Sequence, residues 1–198
     1  MKNLIISLIS ITILVALTSG KPIKLKDKDA IIIGRIILDN DSEIENNKLE
    51  IAFQTGPRGA KKAKADTAGL FCTKIAIGNS FVDYVKYKEG GDYRKIFSAD
   101  CITFSLPEGG KIYYIGDIYL KWVPSERDKV KKGFSLGIGL GGSHMGGGLS
   151  VPISSAQAPG EDCPGISIMD KDDAIQWFRS MYPEDNREIV TQFVNLLP

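Results

Sequence analysis

The sequence predicts a mainly β protein: an antiparallel β-sandwich, immunoglobulin-like or transthyretin-like, of about six to nine strands with two C-terminal α-helices. Three observations predict it. Short β-branched and aromatic runs recur between residues 30 and 123, each closed by Gly, Asn, Asp or Pro. No helical period intervenes among them, which argues against βαβ units and against the parallel-sheet crevice that holds nucleotides. Amphipathic helical spacing begins only after Asp170.

The run AIIIGRIIL, 30–38, is β-branched and stops at the turn-rich DNDSEIENN, so it reads as a strand. Residues 49–53 form a second, shorter one. The stretch QTGPRGAKKAKADTAG, 54–69, lacks periodicity and reads as a long polar loop. Strands follow at 70–77 and 81–87 around the hairpin pair Gly78-Asn79, then at 95–99, 102–106 and 112–123. In DKDDAIQWFRSMYP, residues Ala174, Trp177, Phe178 and Met181 share one helix face, Asp170 is placed to cap, and Pro183 ends the helix. Ile189, Val190, Phe193 and Leu197 repeat the spacing and predict a second helix, so that helices cover 170–197.

Ahead of this body lie a leader and a tether. Residues 1–20 carry Lys2, an apolar block over 4–17 and then Thr18, Ser19 and Gly20. That order is the pattern of a secretory signal peptide, with cleavage after Gly20. The apolar block falls short of the ~20 residues a helix needs to cross a bilayer. No cysteine stands at the cleavage point to carry a lipid; the first is Cys72. The basic tether KPIKLKDKD, 21–29, leads into a single domain over 30–198. The leader's only charged residue is Lys2, so the rest of the chain holds 24 basic and 24 acidic side chains. A balanced chain has no global field to draw it onto nucleic acid, and no nucleic-acid partner is expected.

Export permits disulfides, but three cysteines are an odd count. Either Cys72 and Cys101, both in strand-like runs, are bridged and Cys163 is left over, or all three are unpaired thiols; sequence supplies no distance to decide.

Residues 137–148, GIGLGGSHMGGG, contain Gly137, Gly139 and Gly142 in the dinucleotide spacing, beside the single histidine, His144. A phosphate loop needs a helix directly after the third glycine; SHMGGGLSVP cannot start one. No lysine follows to make a Walker loop, and Met145 stands where a nucleophile elbow needs glycine. The segment reads instead as a glycine-rich hairpin, 134–153, with one apolar face that includes Leu136, Ile138 and Leu140. With Met145 at its tip it is a candidate contact surface for an envelope component or protein partner, or for peripheral membrane contact. Its arms are short for a membrane-spanning strand.

Arg58, Lys61, Lys62 and Lys64 form a candidate anion-contact loop, lacking the interleaved aromatics that stack bases. Asp39, Asp41, Glu43 and Glu50 have partial calcium-loop spacing, but Ile44 stands where the loop turns on glycine. Cys163 with His144 is the one conceivable nucleophile–base pair, and the glycines around His144 leave the base unheld. Zinc-site spacing is lacking, so no metal, cofactor or catalytic residue is expected.

At LPEGGKIYYIGDIYLKW, 106–122, and DKDDAIQWFRSMYP, 170–183, the chain resembles uncharacterised bacterial envelope proteins, lipoprotein-like small β-sandwiches with a Gly-Lys-x-Tyr-Tyr-type late strand and a helix ending in Tyr-Pro. The resemblance implies an exported β-domain; the missing lipid-bearing cysteine is a departure from it. The functional expectation is a non-enzymatic, exported binding or structural module, periplasmic, cell-surface or secreted. The alternatives are a Cys163-dependent hydrolase and a membrane-associating protein using the hairpin.

Overall fold

The computed structural model describes residues 21–38, 44–56, 60–130, 163–167 and 170–192. In chain order the elements are β1 (Asp29–Leu38), a 3-10 turn (Asn46–Lys48), β2 (Leu49–Thr55), β3 (Ala60–Lys64), β4 (Leu70–Ala76), β5 (Gly78–Lys88), β6 (Asp92–Ile96), β7 (Thr103–Leu106), β8 (Ile112–Leu120), β9 (Gly165–Ser167), α1 (Lys171–Met181) and β10 (Ile189–Thr191). The protein is mainly β, with two five-stranded sheets among the described residues. The first runs β4-β1-β8, and β9 and β10 share the far edge of β8. The second runs β3-β2-β5, and β6 and β7 share the far edge of β5.

Alternation along β1 decides the layering. Ala30, Ile32 and Ile36 enter one core with Phe53, Val85 and Phe104 of the second sheet. Ile31 and Ile33 enter another with Tyr114, Ala174 and Phe178, so α1 packs on the opposite side of the first sheet. Both faces of β1 are covered, which is why its sequence is an almost unbroken apolar run rather than an alternating one. All the side chains named in these two cores except Phe104 are fully buried. Burying an Ile or Phe contributes roughly 1.5–3 kcal/mol before the entropy of ordering the chain is subtracted.

A bulge re-aims the middle of the first sheet. Ile33 sits opposite Tyr114, but Arg35 sits opposite Asp117, so β8 carries an extra residue there. Gly116 takes it with φ +101, and a Cβ at that position would meet the Ser167 carbonyl at 2.8 Å. The bulge puts Tyr114 and Asp117 on the same face, toward α1, while Ile115 and Ile118 stay in the inter-sheet core.

Several expectations are corrected. β8 pairs in parallel with both β1 and β10, so the first sheet is mixed. The signature of a strand buried on both faces stood in the AIIIGRIIL run, and its parallel partner lies some 80 residues downstream. Residues 189–191 form a strand, not part of a second helix. A helix of that length is marginal alone, whereas the open edge of β8 satisfies the backbone of Ile189 and Val190 at once. The supposed polar loop contains β3, an edge strand whose lysines gave it the look of a solvated segment. The strand at 95–99 lies at Asp92–Ile96, and that at 112–123 ends at Leu120. Asp170 occupies the N-cap of α1, yet its carboxylate makes no capping hydrogen bond and pairs with Arg35 instead.

The cysteine pairing also differs from expectation. Cys101 and Cys163 are bonded, 62 residues apart, and Cys72 is the free thiol. Cys72 lies on β4, on the α1 side of the first sheet, whereas Cys101 is buried in the inter-sheet core. The layers that separate them could not be read from strand propensity. The bridge ties the turn before β7 to the segment entering β9, and so joins the two sheets.

Candidate anion-contact face

Three polar constellations stand out, and two of them hold the fold. Arg35 donates to Asp117 at 3.0 Å and pairs with Asp170 at the start of α1. The Tyr114 hydroxyl donates to the other Asp117 oxygen at 3.0 Å. Asp117 is fully buried. Burial, then the Asp117 charge, pushes the Tyr114 hydroxyl well above the ordinary tyrosine range. Near the chain's end, Arg187 grips buried Asp185 and donates to the Ile23 carbonyl at 2.9 Å, while Arg179 donates to the Arg187 carbonyl at 2.7 Å. The Arg187 hydrogen bonds hold the Asp185 carboxyl below its ordinary value despite the burial that opposes them. Each charged side chain in these clusters pairs with or hydrogen-bonds another member, so both clusters clamp: one fixes α1 to the first sheet, the other fixes the incoming tether to the chain's last segment.

The third constellation lies on the second sheet. Leu49, Ile51, Val85 and Tyr87 face the core, so their neighbours in each strand face away from it. Register then sets the outward row. Glu50 lies opposite Lys64 and Lys86, Ala52 opposite Lys62 and Tyr84, Lys86 opposite Arg94, and Lys88 opposite Asp92. Directly opposed residues share a face. Lys62, Lys64, Lys86, Lys88 and Arg94 are therefore gathered from three strands onto one surface.

Tyr84 is the hub of this surface. The Arg94 guanidinium lies 4.2 Å from the ring centroid and the Lys62 ammonium 5.9 Å from it. A ring face attracts cations through its quadrupole, which holds like charges side by side that would otherwise repel. The Tyr84 hydroxyl, then Glu50, raises the Lys62 ammonium above its ordinary value, so it stays charged throughout the neutral range. Glu50 pairs with Lys62 at 3.2 Å and Lys88 at 3.7 Å, and Asp92 with Lys86 at 2.7 Å. Neither Lys64 nor Arg94 has an ion-pair partner within 4 Å among the described residues. The surface thus keeps a positive excess on a chain that is balanced as a whole.

The expected basic loop is divided by this geometry. Lys62 and Lys64 belong to the outward row, whereas Lys61 lies opposite Phe53, on the core side at the sheet's exposed edge. Arg58 lies outside the described residues, as do Gly20 and the hairpin 134–153 with Leu136, Ile138, Leu140 and Met145. Lys86, Lys88, Arg94 and Tyr84 are the members that sequence reading missed. The alternation Tyr84, Lys86, Lys88 was visible, but the partners that complete the surface are set only by cross-strand register.

Other chemistry finds little support among the described residues. No group of three His, Cys, Asp or Glu side chains could hold a metal ion there. Cys163 is bonded to Cys101 and carries no free thiol for attack. Cys72 borders a shallow hollow of about 440 Å³ with Leu70, Trp177 and Met181. Burial pushes its thiol up, against a weaker contribution from Tyr182. Such a thiol is a poor nucleophile.

No family model matches the chain, and no curated protein matches it. Among solved structures it is similar to a DUF3823 family protein from Parabacteroides merdae ATCC 43184, at 8% identity and a TM-score of 0.27. The match covers 50% of this chain and spans about half the length of that one, 47%.

Proposed function

We propose that this chain is an exported, non-enzymatic binding module whose ligand is an acidic polysaccharide of the cell envelope, held on the outer face of the second sheet. The observation that carries the reading is the register that collects Lys62, Lys64, Lys86, Lys88 and Arg94 around Tyr84, with neither Lys64 nor Arg94 ion-paired within 4 Å among the described residues. A signal peptide over 1–20, cleaved after Gly20, supports export, and the resemblance to envelope β-sandwich proteins at 106–122 and 170–183 points the same way. We include in the proposal that the two sheets form an immunoglobulin-like or transthyretin-like sandwich.

The choice among polyanions follows from what the surface lacks. Tyr84 is only 7% exposed, its ring taken up by its two cations, so the cationic part of the face offers no platform for stacking successive bases. The exposed large apolar side chains among the described residues are Tyr119, Val123 and Met181, none of them on this face, so nothing there enters a lipid interface. A hydrated, charged polymer needs neither device.

Chromatography on a dextran sulfate resin tests the reading. Because the mature chain is charge-balanced, retention reports the patch rather than the net charge. The protein should bind at ~0.01 M ionic strength and elute as salt is raised past ~0.15 M, where screening shortens from ~30 to ~8 Å. The double reversal Lys64→Glu, Arg94→Glu should pass straight through. Equal retention of that variant and the parent would refute the assignment.

A further inference from the structure

The outward row does not end at Tyr84. At Asp83 β5 carries an extra residue, after which Val82 returns to the core opposite Phe53 and Phe81 faces outward opposite Gln54 and Thr103. Asn79 follows, opposite Ser105. Phe81, Asn79, Thr103 and Ser105, with Asp100 and Gln192, line a cavity of about 660 Å³. None of these six side chains is a cation, in contrast to the row beyond Tyr84. They comprise one aromatic ring, two amides, two hydroxyls and one carboxylate.

We infer that this cavity is a saccharide subsite that takes an uncharged ring of the same acidic polysaccharide, continuous with the basic row along β5. The inference rests on the polyanion reading above and deepens it. Aromatic and amide or hydroxyl groups in one hollow suit a sugar. The ring covers the C–H face, while Asn79 and Gln192 each present a donor and an acceptor to neighbouring hydroxyls and Asp100 accepts. The Phe81 side chain is half-buried, fixed by its strand neighbours yet open on the cavity side. Phe81 and Lys86 are separated by roughly 15 Å of strand, so one oligosaccharide chain spans both. A purely ionic surface would have no use for a ring and an amide in line with its cations. Specificity comes from the combination: the cations select charge, and the cavity selects a sugar over other polyanions.

The test compares two fluorescently labelled probes of matched charge, an oligosaccharide in which uronate alternates with an uncharged N-acetylhexosamine, and linear polyphosphate, by anisotropy at low salt. The alternating oligosaccharide should bind about tenfold tighter, the factor a single well-placed contact supplies. Phe81→Ala should remove that advantage while leaving polyphosphate affinity within about twofold. Asn79→Ala, an exposed position, should reduce the advantage in the same direction without disturbing packing, which keeps the inference testable if Phe81→Ala unfolds. If both probes bind equally and neither substitution separates them, the subsite is wrong and the basic face stands. If neither probe binds, both fall.

Discussion

Arg35 and Arg94 each leave the middle of a strand, yet they end in opposite circumstances. Arg35, on the first sheet, reaches a fully buried carboxylate under a helix; Arg94, on the second, lies across a tyrosine ring on a face that no described element covers. On the covered sheet, charge is a constraint, because an unmatched ion there is costly and every group must be paired. On the uncovered sheet, water and salt weaken each pair, so charges can accumulate in excess and remain available to a ligand. The same residue type therefore serves as a clamp in one place and a contact in the other.

The sharpest way to break this contrast is to remove the clamp. Arg35→Leu should lower stability by about 3–5 kcal/mol, since it strands Asp117 beside Tyr114. Urea unfolding measures this, and Arg35→Leu with Asp117→Leu together should cost less than the single change. A loss under about 1 kcal/mol for Arg35→Leu would mean that the cluster is solvated after all.

The tie between the sheets comes next. Cys101→Ser or reduction should cost about 2–4 kcal/mol, because the bridge closes a loop of 62 residues in the unfolded chain. Thermal unfolding with and without reductant measures it; an unchanged midpoint would show that the sheets need no staple.

The second clamp gives a pH signature. The folded Asp185 carboxyl sits below its ordinary value of 3.8, held by Arg187. Its contribution is complete above that ordinary value and is lost as pH falls through the lowered folded value. Asp185→Asn should therefore be less stable than the parent at neutral pH and lose less on acidification. Parallel acid-unfolding curves for the two proteins would contradict the role assigned to the pair.

The smallest effects belong to the uncovered face. Lys64→Ala and Lys88→Ala should each change stability by less than about 0.5 kcal/mol, as surface substitutions usually do. Lys64→Ala should nevertheless weaken binding to dextran sulfate. A stability loss above about 1 kcal/mol at either position would assign these lysines to the fold rather than to a ligand.

Legibility in the sequence tracked the range of the interactions. Of the predicted helix face, Ala174 and Phe178 are fully buried because i and i+4 spacing is local, Trp177 is partly buried, and Met181 at the helix end is exposed. β1, β2, β4 and β5 were visible as short β-branched runs. β3 was not, because its lysines hide a strand whose only apolar task is the single buried Ala63. β10 was misread because Ile189 and Val190 fit a helical stripe as well as a strand, and only the vacant edge of β8 decides between them. Two of the five cations of the basic face were found, Lys62 and Lys64; the other three waited on partners 22 to 32 positions away.

By itself, then, the sequence determined the β-rich class, the α1 helix and the balance of charge, since each rests on neighbours within a few positions. Tertiary structure decided which strands run parallel, which cysteines join, and which cations share a face. Those outcomes depend on register and layer order, and pairings between distant segments are chosen by the burial and hydrogen-bond satisfaction of the whole fold rather than by any local preference.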